Sequence, residues 1–366
     1  MKNTFGNNVT LTLFGESHGP AVGAVLDGIP SGLPVSEDAI RAALSRRRPK
    51  DAAATTRREA DEFSFLSGVY QGKTTGTPLC ITIPNKDVND ADYAAIRGIA
   101  RPGHGDYPAE MKYHGFQDAR GGGHGSGRVT AALVAICAVM TAALEARGIV
   151  IASHLSSCAG VSDRRFDLRA IPAEKALLND AGFPVLDGAS GARMQAAVLA
   201  AKEDGDSVGG VIETAVHGLP AGVGEPWFDT VEGMLSHALF SIPAVKGVEF
   251  GDGFALAGMR GSEANDAYVL RDGRVATETC HGGGIVGGMT EGTPLLFRTA
   301  VKPTPSVSKQ QNTVNFETMV PCTVSVPGRH DACVAPRAVP VVDAVTALVL
   351  CDLLIGRFGP DWLLGK

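Results

Sequence analysis

The chain has 366 residues, and its hydrophobic content of 44% is enough for one large core or for two smaller ones. The 33 basic and 39 acidic residues give a net charge of -6, which excludes binding of nucleic acid or acidic membranes through overall charge. Seven scattered cysteines, none in a C-x-x-C pair, argue against a secreted disulfide framework, so we expect reduced thiols and a cytoplasmic protein.

The N-terminal part predicts two strands followed by a helix. Apolar residues alternate over Val9–Phe14, where a signal peptide would have an unbroken apolar run, and a second strand is predicted at Ala21–Leu26. Ser36 is placed to cap a helix that ends in three arginines, Arg46–Arg48. Arginines in a last helical turn suit either the helix dipole and solvent or a bound phosphate, and the sequence leaves both interpretations open.

The segment Arg101–Thr130 concentrates histidines, cationic side chains and glycines just before an apolar helix. Glycines over Gly121–Gly127 let the backbone approach a ligand, and the free N–H groups of a helix start attract anions. The helix is predicted at Thr130–Arg147, but its uncharged part, Val129–Leu144, is shorter than the roughly 18 residues that cross a bilayer. We therefore predict an anion-binding loop, a core helix and no membrane span.

The remaining elements alternate irregularly. A short strand is expected around Pro78–Ile83, ahead of the segment just described, and a strand with a turn at Gly148–Gly160. The later predictions are helices at Ala192–Glu203 and Phe228–Leu239, strands at Val211–His217 and Val245–Phe250, and a last helix opened by Pro340. Because this order lacks the rhythm of a doubly wound parallel sheet, the predicted class is α+β.

Two features of the sequence recur and suggest an internal pseudo-repeat with a site shared between its halves. Glycine triplets stand at Gly121–Gly123 and Gly282–Gly284, and basic loops at His124–Arg128 and Arg329–Pro340 each precede a long apolar helix. Since no low-complexity linker separates the halves, we predict one domain over residues 1–366.

Two loop histidines, His18 and His104, are candidates for proton transfer. Each lies between or beside glycines, where an imidazole has little packing to do, and an unperturbed imidazole titrates near neutral pH. Two such side chains are equally suited to a metal ion. No third ligand stands at a spacing such as H-E-x-x-H, so no metal is expected.

Two further loops carry cations near proline-stiffened turns. Lys302–Ser306 combines a lysine with hydroxyls, and Arg329–Asp331 with Arg337 adds an Arg-His-Asp run that is either a surface patch or part of a site. Together the loops provide many cations, two or three histidines, one or two acids and no evident nucleophile. The pattern predicts proton transfer around a phosphorylated small molecule, and it does not by itself name the substrate.

An ordered series of motifs resembles chorismate synthase. The motifs run from Phe14 to Pro340 and read FGESHG, DGIPSGLP, RRRP, TTRRE, LSGVYQGKTTGTP, RPGHGDY, DARGGG, SIPAVKGVEFG, GGGIVGG, VKPTPS and GRHDACVAPRAVP. The resemblance implies conversion of 5-enolpyruvylshikimate 3-phosphate to chorismate and phosphate in the shikimate pathway. This 1,4-anti elimination is redox-neutral but needs reduced FMN, and NADPH is a possible reductant.

Site residues follow from the resemblance position by position. His18 and His104 match the family's acids, one acting toward the leaving phosphate and one toward the flavin, and Asp331 matches the aspartate that assists proton removal. Arg48 and Arg128 match contacts to substrate or NADP phosphate. The implied FMN contacts are His124, Gly125, Ser126, Pro243, Ala244, Gly287, Lys302, Pro303, Thr304, Pro305, Ser306 and Arg329. The implied fold is a β-α-β sandwich, with antiparallel sheets layered on long helices, in a homotetramer.

The chain departs from the family in the glycine-rich loop. Where members usually read GGGRSSARET, this sequence reads GGGHGSGRVT, so His124 replaces an arginine and Val129 replaces a glutamate. Ala52–Ala54 stand where a further arginine is usual, which weakens the nucleotide site and favours an external flavin reductant. An alternative reading is therefore a drifted paralogue that binds flavin or a phosphorylated ligand without turnover.

Overall fold

The computed structural model describes residues 2–48, 61–86, 97–271, 273–326 and 330–365. Two five-stranded antiparallel sheets dominate it. The first has the order β1-β2-β3-β7-β4, with β1 Thr4–Phe5, β2 Thr10–Gly15, β3 Ala21–Asp27, β4 Ser64–Ser67 and β7 Leu79–Pro84. The second has the order β11-β16-β10-β8-β9, with β8 Val150–Cys158, β9 Val161–Ser162, β10 Gly210–His217, β11 Val245–Phe250 and β16 Leu295–Val301.

Four two-stranded ribbons lie outside these sheets. They are β5 Val69–Tyr70 with β6 Lys73–Thr74, β12 Tyr268–Arg271 with β13 Arg274–Thr277, β14 Ile285–Val286 with β15 Met289–Thr290, and β17 Gln311–Asn315 with β18 Val320–Val324.

The α-helices within the described residues are α1 Glu37–Arg47, α2 Asp106–Tyr113, α3 Thr130–Ala146, α4 Ile171–Asp180, α5 Gly188–Glu203, α6 Val231–Leu239, α7 Gly261–Ala264 and α8 Ala335–Phe358. Short 3-10 turns occur at Gly123–Gly125, Gly127–Val129, Gly253–Gly258 and Pro360–Leu364.

The core lies where α3 and α8 pack against each other between the two sheets. Helix α3 contacts β3 and β7 of the first sheet, and α8 contacts β8 and β10 of the second. Both helices are apolar on nearly every side, as a helix without a solvent face must be. Helices α1 and α6 also pack on α8, while α4 and α5 cover the other face of the second sheet.

Most predicted elements are confirmed within a few residues, and the class is α+β as expected. The side chain of Ser36 caps α1 by accepting a hydrogen bond from the amide of Ala39 at 3.1 Å. The prediction that Pro340 opens the last helix was wrong. Helix α8 begins at Ala335, and Pro336 occupies the first turn, where a missing N–H leaves no hydrogen bond unmade.

The argument from helix length against a membrane span was also wrong. Gly127–Ala146 and Ala335–Phe358 are both long and apolar enough to cross a bilayer. Their apolar windows are 78% and 94% buried inside the protein. Since packing against the sheets accounts for their composition, we interpret both as core helices.

A buried carboxylate of α8 holds the turn that leads into β2. Asp352 accepts hydrogen bonds from the backbone amides of Asn7 at 3.1 Å, Asn8 at 2.5 Å and Val9 at 2.8 Å. Asp352 itself is 1% exposed. The first sheet is thereby joined to the C-terminal half of the last helix, across most of the length of the chain.

Replacing Asp352 with alanine should lower the free energy of unfolding by about 4 kcal/mol or more, because three backbone amides lose hydrogen bonds to a charged group that contribute about 1.5–3 kcal/mol each. Urea unfolding measures the change. Asp38→Ala is the control, since that side chain is 97% exposed. Equal effects of the two substitutions would contradict the assigned role of Asp352.

Candidate active site

A cleft of about 1330 Å³ opens at the N-terminal ends of the two long helices. It is bordered by α2, by the glycine-rich loop 121–127 and by the start of α8. Thr130 of α3 and Ala338 of α8 both line it. Because a helix N-terminus carries partial positive charge, this position suits an anion.

Charged side chains of both signs line the cleft. The cations are Arg47, Arg48, Arg97, Arg101, Arg120, Arg128, Lys302 and Arg337. The carboxylates are Glu16, Asp61, Asp106, Glu110, Asp118, Glu317 and Asp331. The expectation of one or two acids was therefore wrong. Buried guanidinium groups need counter-charges, and most of these acids supply them.

Two of the arginine pairs are formed locally in the chain. Arg101 lies 2.7 Å from Asp106, and Arg120 lies 2.8 Å from Asp118. The bridge from Arg101 spans the loop of His104 and ties it to the start of α2. Hydrogen bonds from the Arg120 side chain and amide hold the pKa of Asp118 below its ordinary value, so this carboxylate stays charged at neutral pH.

A buried clasp of Arg47, Asp61 and Arg128 forms the floor of the cleft. Arg128 donates hydrogen bonds to Asp61, to Asn85 Oδ1 at 2.9 Å and to the carbonyl of Pro84 at 3.1 Å. Arg47 donates to the carbonyl of Gly127 at 2.6 Å and lies 3.8 Å from Asp61. The clasp connects α1, the end of β7 and the start of α3, so it holds the cleft together as well as charging it.

His104 lines the cleft and is half-buried. Its Nε2 lies 2.9 Å from Oγ of Ser306, so the two loops that the sequence singled out separately meet here. Burial lowers the pKa of His104 to about 4, assisted by the positive charges of Arg101, Lys302 and His330, although Asp106 opposes them. The imidazole is therefore neutral at pH 7.

His18 is buried behind the glycine-rich loop and is not among the described residues that line the cleft. Its Nδ1 lies 3.0 Å from Oγ of Ser17. A side chain at Gly121, whose φ is +63°, would place its Cβ 2.3 Å from the His18 ring. Glycine at position 121 therefore lets the loop backbone pack directly on the imidazole.

Asp331 lies in the loop four residues before α8 and lines the cleft. Its carboxylate is paired with Arg337 in the first turn of α8, and Arg337 also donates a hydrogen bond to the carbonyl of Arg47 at 3.1 Å. This guanidinium fixes the carboxylate against both the helix start and the buried clasp.

The loop residues at which this sequence differs from the family pattern lie at the cleft. His124 Nδ1 is 2.8 Å from the carbonyl of Gly15, and since a carbonyl only accepts, Nδ1 carries the proton. Ser126 caps the 3-10 turn ahead of α3 by accepting from the amide of Arg128 at 3.3 Å. At Gly125 and Gly127 an added Cβ would meet no atom within 4 Å, so these two positions leave open space.

The loop 302–306 closes the cleft on the side of the second sheet. Lys302 forms no ion pair with any residue that the structure describes. Its Nζ donates to the carbonyl of Gly103 at 2.5 Å, and its amide donates to the carbonyl of Ala244 at 2.9 Å. Pro243, Ala244, Thr304 and Pro305 line the cleft beside it. Oγ1 of Thr304 is buried with no hydrogen-bond partner among the described residues.

Not every candidate residue reaches the cleft. Pro303 packs near Gly209 instead. Gly287 lies in the β14–β15 hairpin, beside the C-terminal end of α8, while the cleft lies at its N-terminal end. A helix of 24 residues is about 36 Å long. Arg48 lines the cleft, and Arg329 lies outside the described residues.

The glycine triplets do not form a paired site. Gly121–Gly123 borders the cleft, whereas Gly283 packs on Gly251 and Leu296 at the far edge of the second sheet.

Two residues of the site, Asp61 and Asn85, were not identified from the sequence. They are 67 and 43 residues from Arg128, and no local pattern indicates those contacts. The pairs Asp118–Arg120 and Arg101–Asp106 could have been found from their spacing.

Comparisons with known proteins agree with the motif series. A family model described as chorismate synthase matches residues 9–355. The chorismate synthase of Thermococcus kodakarensis is 44% identical over 96% of this chain and 97% of the relative, and that of Methanocella arvoryzae is 46% identical over 96% and 94%. A solved structure described as a crystal structure of chorismate synthase superposes with a TM-score of 0.77 at 29% identity, covering 98% of this chain and 94% of the other.

Replacing Lys302 with methionine should raise the pKa of His104 above its value of about 4, because one of the cations that depress it is removed. An NMR titration of the histidine side chains measures the shift. Lys309→Met is the matched control, since Lys309 pairs with Asp204 and Asp206 outside the cleft. An unchanged titration of His104 in the Lys302 variant would contradict this electrostatic account.

Proposed function

The chain belongs to the chorismate synthase family, and we propose that the cleft is where it carries out the family's phosphate elimination. The protein is a carbon–oxygen lyase of aromatic amino acid biosynthesis that converts 5-enolpyruvylshikimate 3-phosphate to chorismate. The observation that carries the proposal is the meeting of His104, Asp331 and several cations in one cleft at two helix N-termini, with Ser306 in contact with His104.

The cleft's charges suit a substrate that bears a phosphate and carboxylates. Arg48, Arg128 and the two helix starts attract the phosphate, and the paired arginines keep their positions before it arrives. Preorganised cations stabilise the charge that develops on the leaving oxygen without reorganising during the reaction. We assign Arg48 and Arg128 to this phosphate or to that of NADPH.

His104 and His18 are the proposed acids. His104 is neutral in the free cleft, and a bound polyanion compensates Arg101, Lys302 and His330, which raises the pKa of His104 and lets it take up a proton. Once it is protonated at Nε2, the His104 imidazole donates this proton to the bound group that lies next to Ser306. Ser17 holds Nδ1 of His18, and the backbone at Gly121 packs on the Cε1 and Nδ1 edge of the ring, so only the thin glycine-rich loop separates this acid from the cleft.

Asp331 is the proposed proton acceptor. Elimination breaks the C–O bond to phosphate and removes a ring proton, so the site must hold a base as well as acids. Arg337 fixes the Asp331 carboxylate at the cleft wall, and a positioned carboxylate accepts a proton more effectively than a mobile one.

The cleft fits reduced FMN. The hydroxyl of Thr304 lacks a partner among the described residues, and open space beside Gly125 and Gly127 leaves room against the glycine-rich loop. His124, Ser126, Pro243, Ala244, Lys302, Pro305 and Ser306 would hold the flavin there. When bound, reduced FMN donates an electron transiently and recovers it. We propose an external flavin reductant over NADPH bound in the same chain.

We also propose that this chain has the finer architecture implied by its family. The layering of α3 and α8 between two sheets supports a β-α-β sandwich, and a sheet with its long helix in each half supports a pseudo-repeat. One continuous core cluster from Val9 to Leu363 supports a single domain over residues 1–366. We propose a cytoplasmic homotetramer, in which Gly287 can contact flavin only in the cleft of a neighbouring subunit.

The direct test supplies 5-enolpyruvylshikimate 3-phosphate anaerobically with chemically reduced FMN and measures chorismate. Turnover is expected with reduced FMN and little with NADPH plus oxidised FMN, because the reductant is external. Flavin binding without any turnover at saturating reduced FMN would instead establish the alternative, a flavin-binding paralogue. Equal rates with NADPH would overturn the external reductant alone.

His18→Ala and His104→Ala should each lower kcat by about 10²–10⁴-fold, the usual contribution of a positioned acid. The affinity for reduced FMN, measured by anaerobic titration, should change far less. His217→Ala is the control, since His217 is exposed at the end of β10. A variant at position 18 or 104 that keeps full turnover would remove that histidine from the mechanism.

A further inference from the structure

Two buried cysteines meet beside the loop that carries Asp331. Cys158 is the last residue of β8, and Cys333 lies between Asp331 and the start of α8. Their sulfur atoms are 3.6 Å apart, although the residues are 175 positions apart in sequence. Cys158 is 1% exposed and Cys333 is 6% exposed, and all seven cysteines are free thiols.

The backbone around the two thiols is held close on both sides. The amide of Val208 donates a hydrogen bond to the carbonyl of Ala332 at 2.9 Å, next to Cys333. Gly210 pairs with Cys158 across β10 and β8, and a Cβ at Gly210 would lie 3.0 Å from that of Ala335. A bond between the sulfurs, about 2.05 Å long, therefore needs an approach of roughly 1.5 Å rather than a rearrangement of elements.

We propose that Cys158 and Cys333 form a redox-sensitive dithiol, which hydrogen peroxide converts to a disulfide that lowers activity by displacing Asp331. The effect on turnover rests on the role proposed for Asp331, whereas the disulfide itself does not. Cys333 is separated from Asp331 by one residue, and both Asp331 and Val334 line the cleft, so the pair lies directly behind the cleft wall.

The chemistry is a two-electron oxidation with peroxide as the oxidant. The Cys158 thiol loses its proton, and the resulting thiolate attacks one peroxide oxygen and breaks the O–O bond. The departing hydroxide takes up that proton, so the products are a sulfenic acid and water. The Cys333 sulfur then attacks the sulfenic sulfur, loses its proton and releases a second water as the disulfide forms. The hydrogen bond between the two thiols lowers the pKa of Cys158 and raises that of Cys333, which favours Cys158 as the first nucleophile.

Drawing Cys333 toward β8 strains the contacts that fix the proposed base. Asp331 is held by Arg337, which in turn donates to the carbonyl of Arg47 in the buried clasp. The neighbouring His330 is one of the charges that lower the pKa of His104. A shift of this loop therefore changes both the position of the proposed proton acceptor, Asp331, and the charges that affect the pKa of the proposed acid, His104.

Other cysteines differ from this pair. Cys137 and Cys351 lie on α3 and α8 and are fully buried in the helix core, where desolvation raises the pKa of each thiol. Cys322 is half-buried on β18, away from the cleft lining among the described residues. Cys322→Ser is accordingly the matched control for substitutions at Cys158.

The full-length protein is treated with hydrogen peroxide, its remaining thiols are alkylated, and peptides are mapped by mass spectrometry without reduction. We expect a linked peptide that joins Cys158 to Cys333. Turnover, assayed with fresh reduced FMN under anaerobic conditions, should fall by about 10- to 100-fold, as expected for a displacement of about 1 Å at a catalytic group. Dithiothreitol should restore it.

Cys158→Ser and Cys158→Ala should keep their activity after peroxide, while Cys322→Ser should lose it as the wild type does. Two variants are used so that a folding defect in one is recognised from its circular dichroism. Absence of the linked peptide, or a disulfide with unchanged kcat, would overturn the proposal. If untreated protein shows no turnover, the proposed function fails, yet the mapped disulfide still tests the dithiol.

Discussion

The packing of two long apolar helices against each other, between two antiparallel sheets, is the constraint on which the cleft depends. Helices α3 and α8 have almost no solvent-exposed side, so each must be covered by its partner and by a sheet. In this arrangement both N-termini reach the same region, where Thr130 and Ala338 line one cleft. Two helix starts then contribute positive potential to a site that neither half of the chain forms alone.

The pairing of arginines with carboxylates determines how strongly this positive potential acts on a bound anion. Buried arginines would be costly without counter-charges, and Asp61, Asp106, Asp118 and Asp331 supply them. The same pairs hold the loops of His104 and Asp331 in place, so the groups that charge the cleft also position its proton carriers. Burial lowers the pKa of His104, and the positive charges that remain near it add to this effect.

The positions at which this chain differs from the family pattern lie mainly in the glycine-rich loop, where the backbone rather than side chains forms the wall of the cleft. His124 contacts the carbonyl of Gly15, and Ser126 caps the turn before α3. Replacement of larger residues by Gly125 and Gly127 opens space without removing the helix start. The proposed acids and Asp331 fit the proposed elimination, and we expect the cofactor contacts in this loop to differ from those of other members.

Sequence alone determined the class, most elements and the family, because periodicity, caps and an ordered motif series are local properties of the chain. It also identified His104, Ser306 and Asp331 in separate loops. Only the tertiary structure decided that His104 meets Ser306, that Arg128 is held by Asp61 and Asn85, and that Cys158 touches Cys333. These contacts join residues 43 to 202 positions apart, and they arise from how two buried helices pack, which no local pattern records.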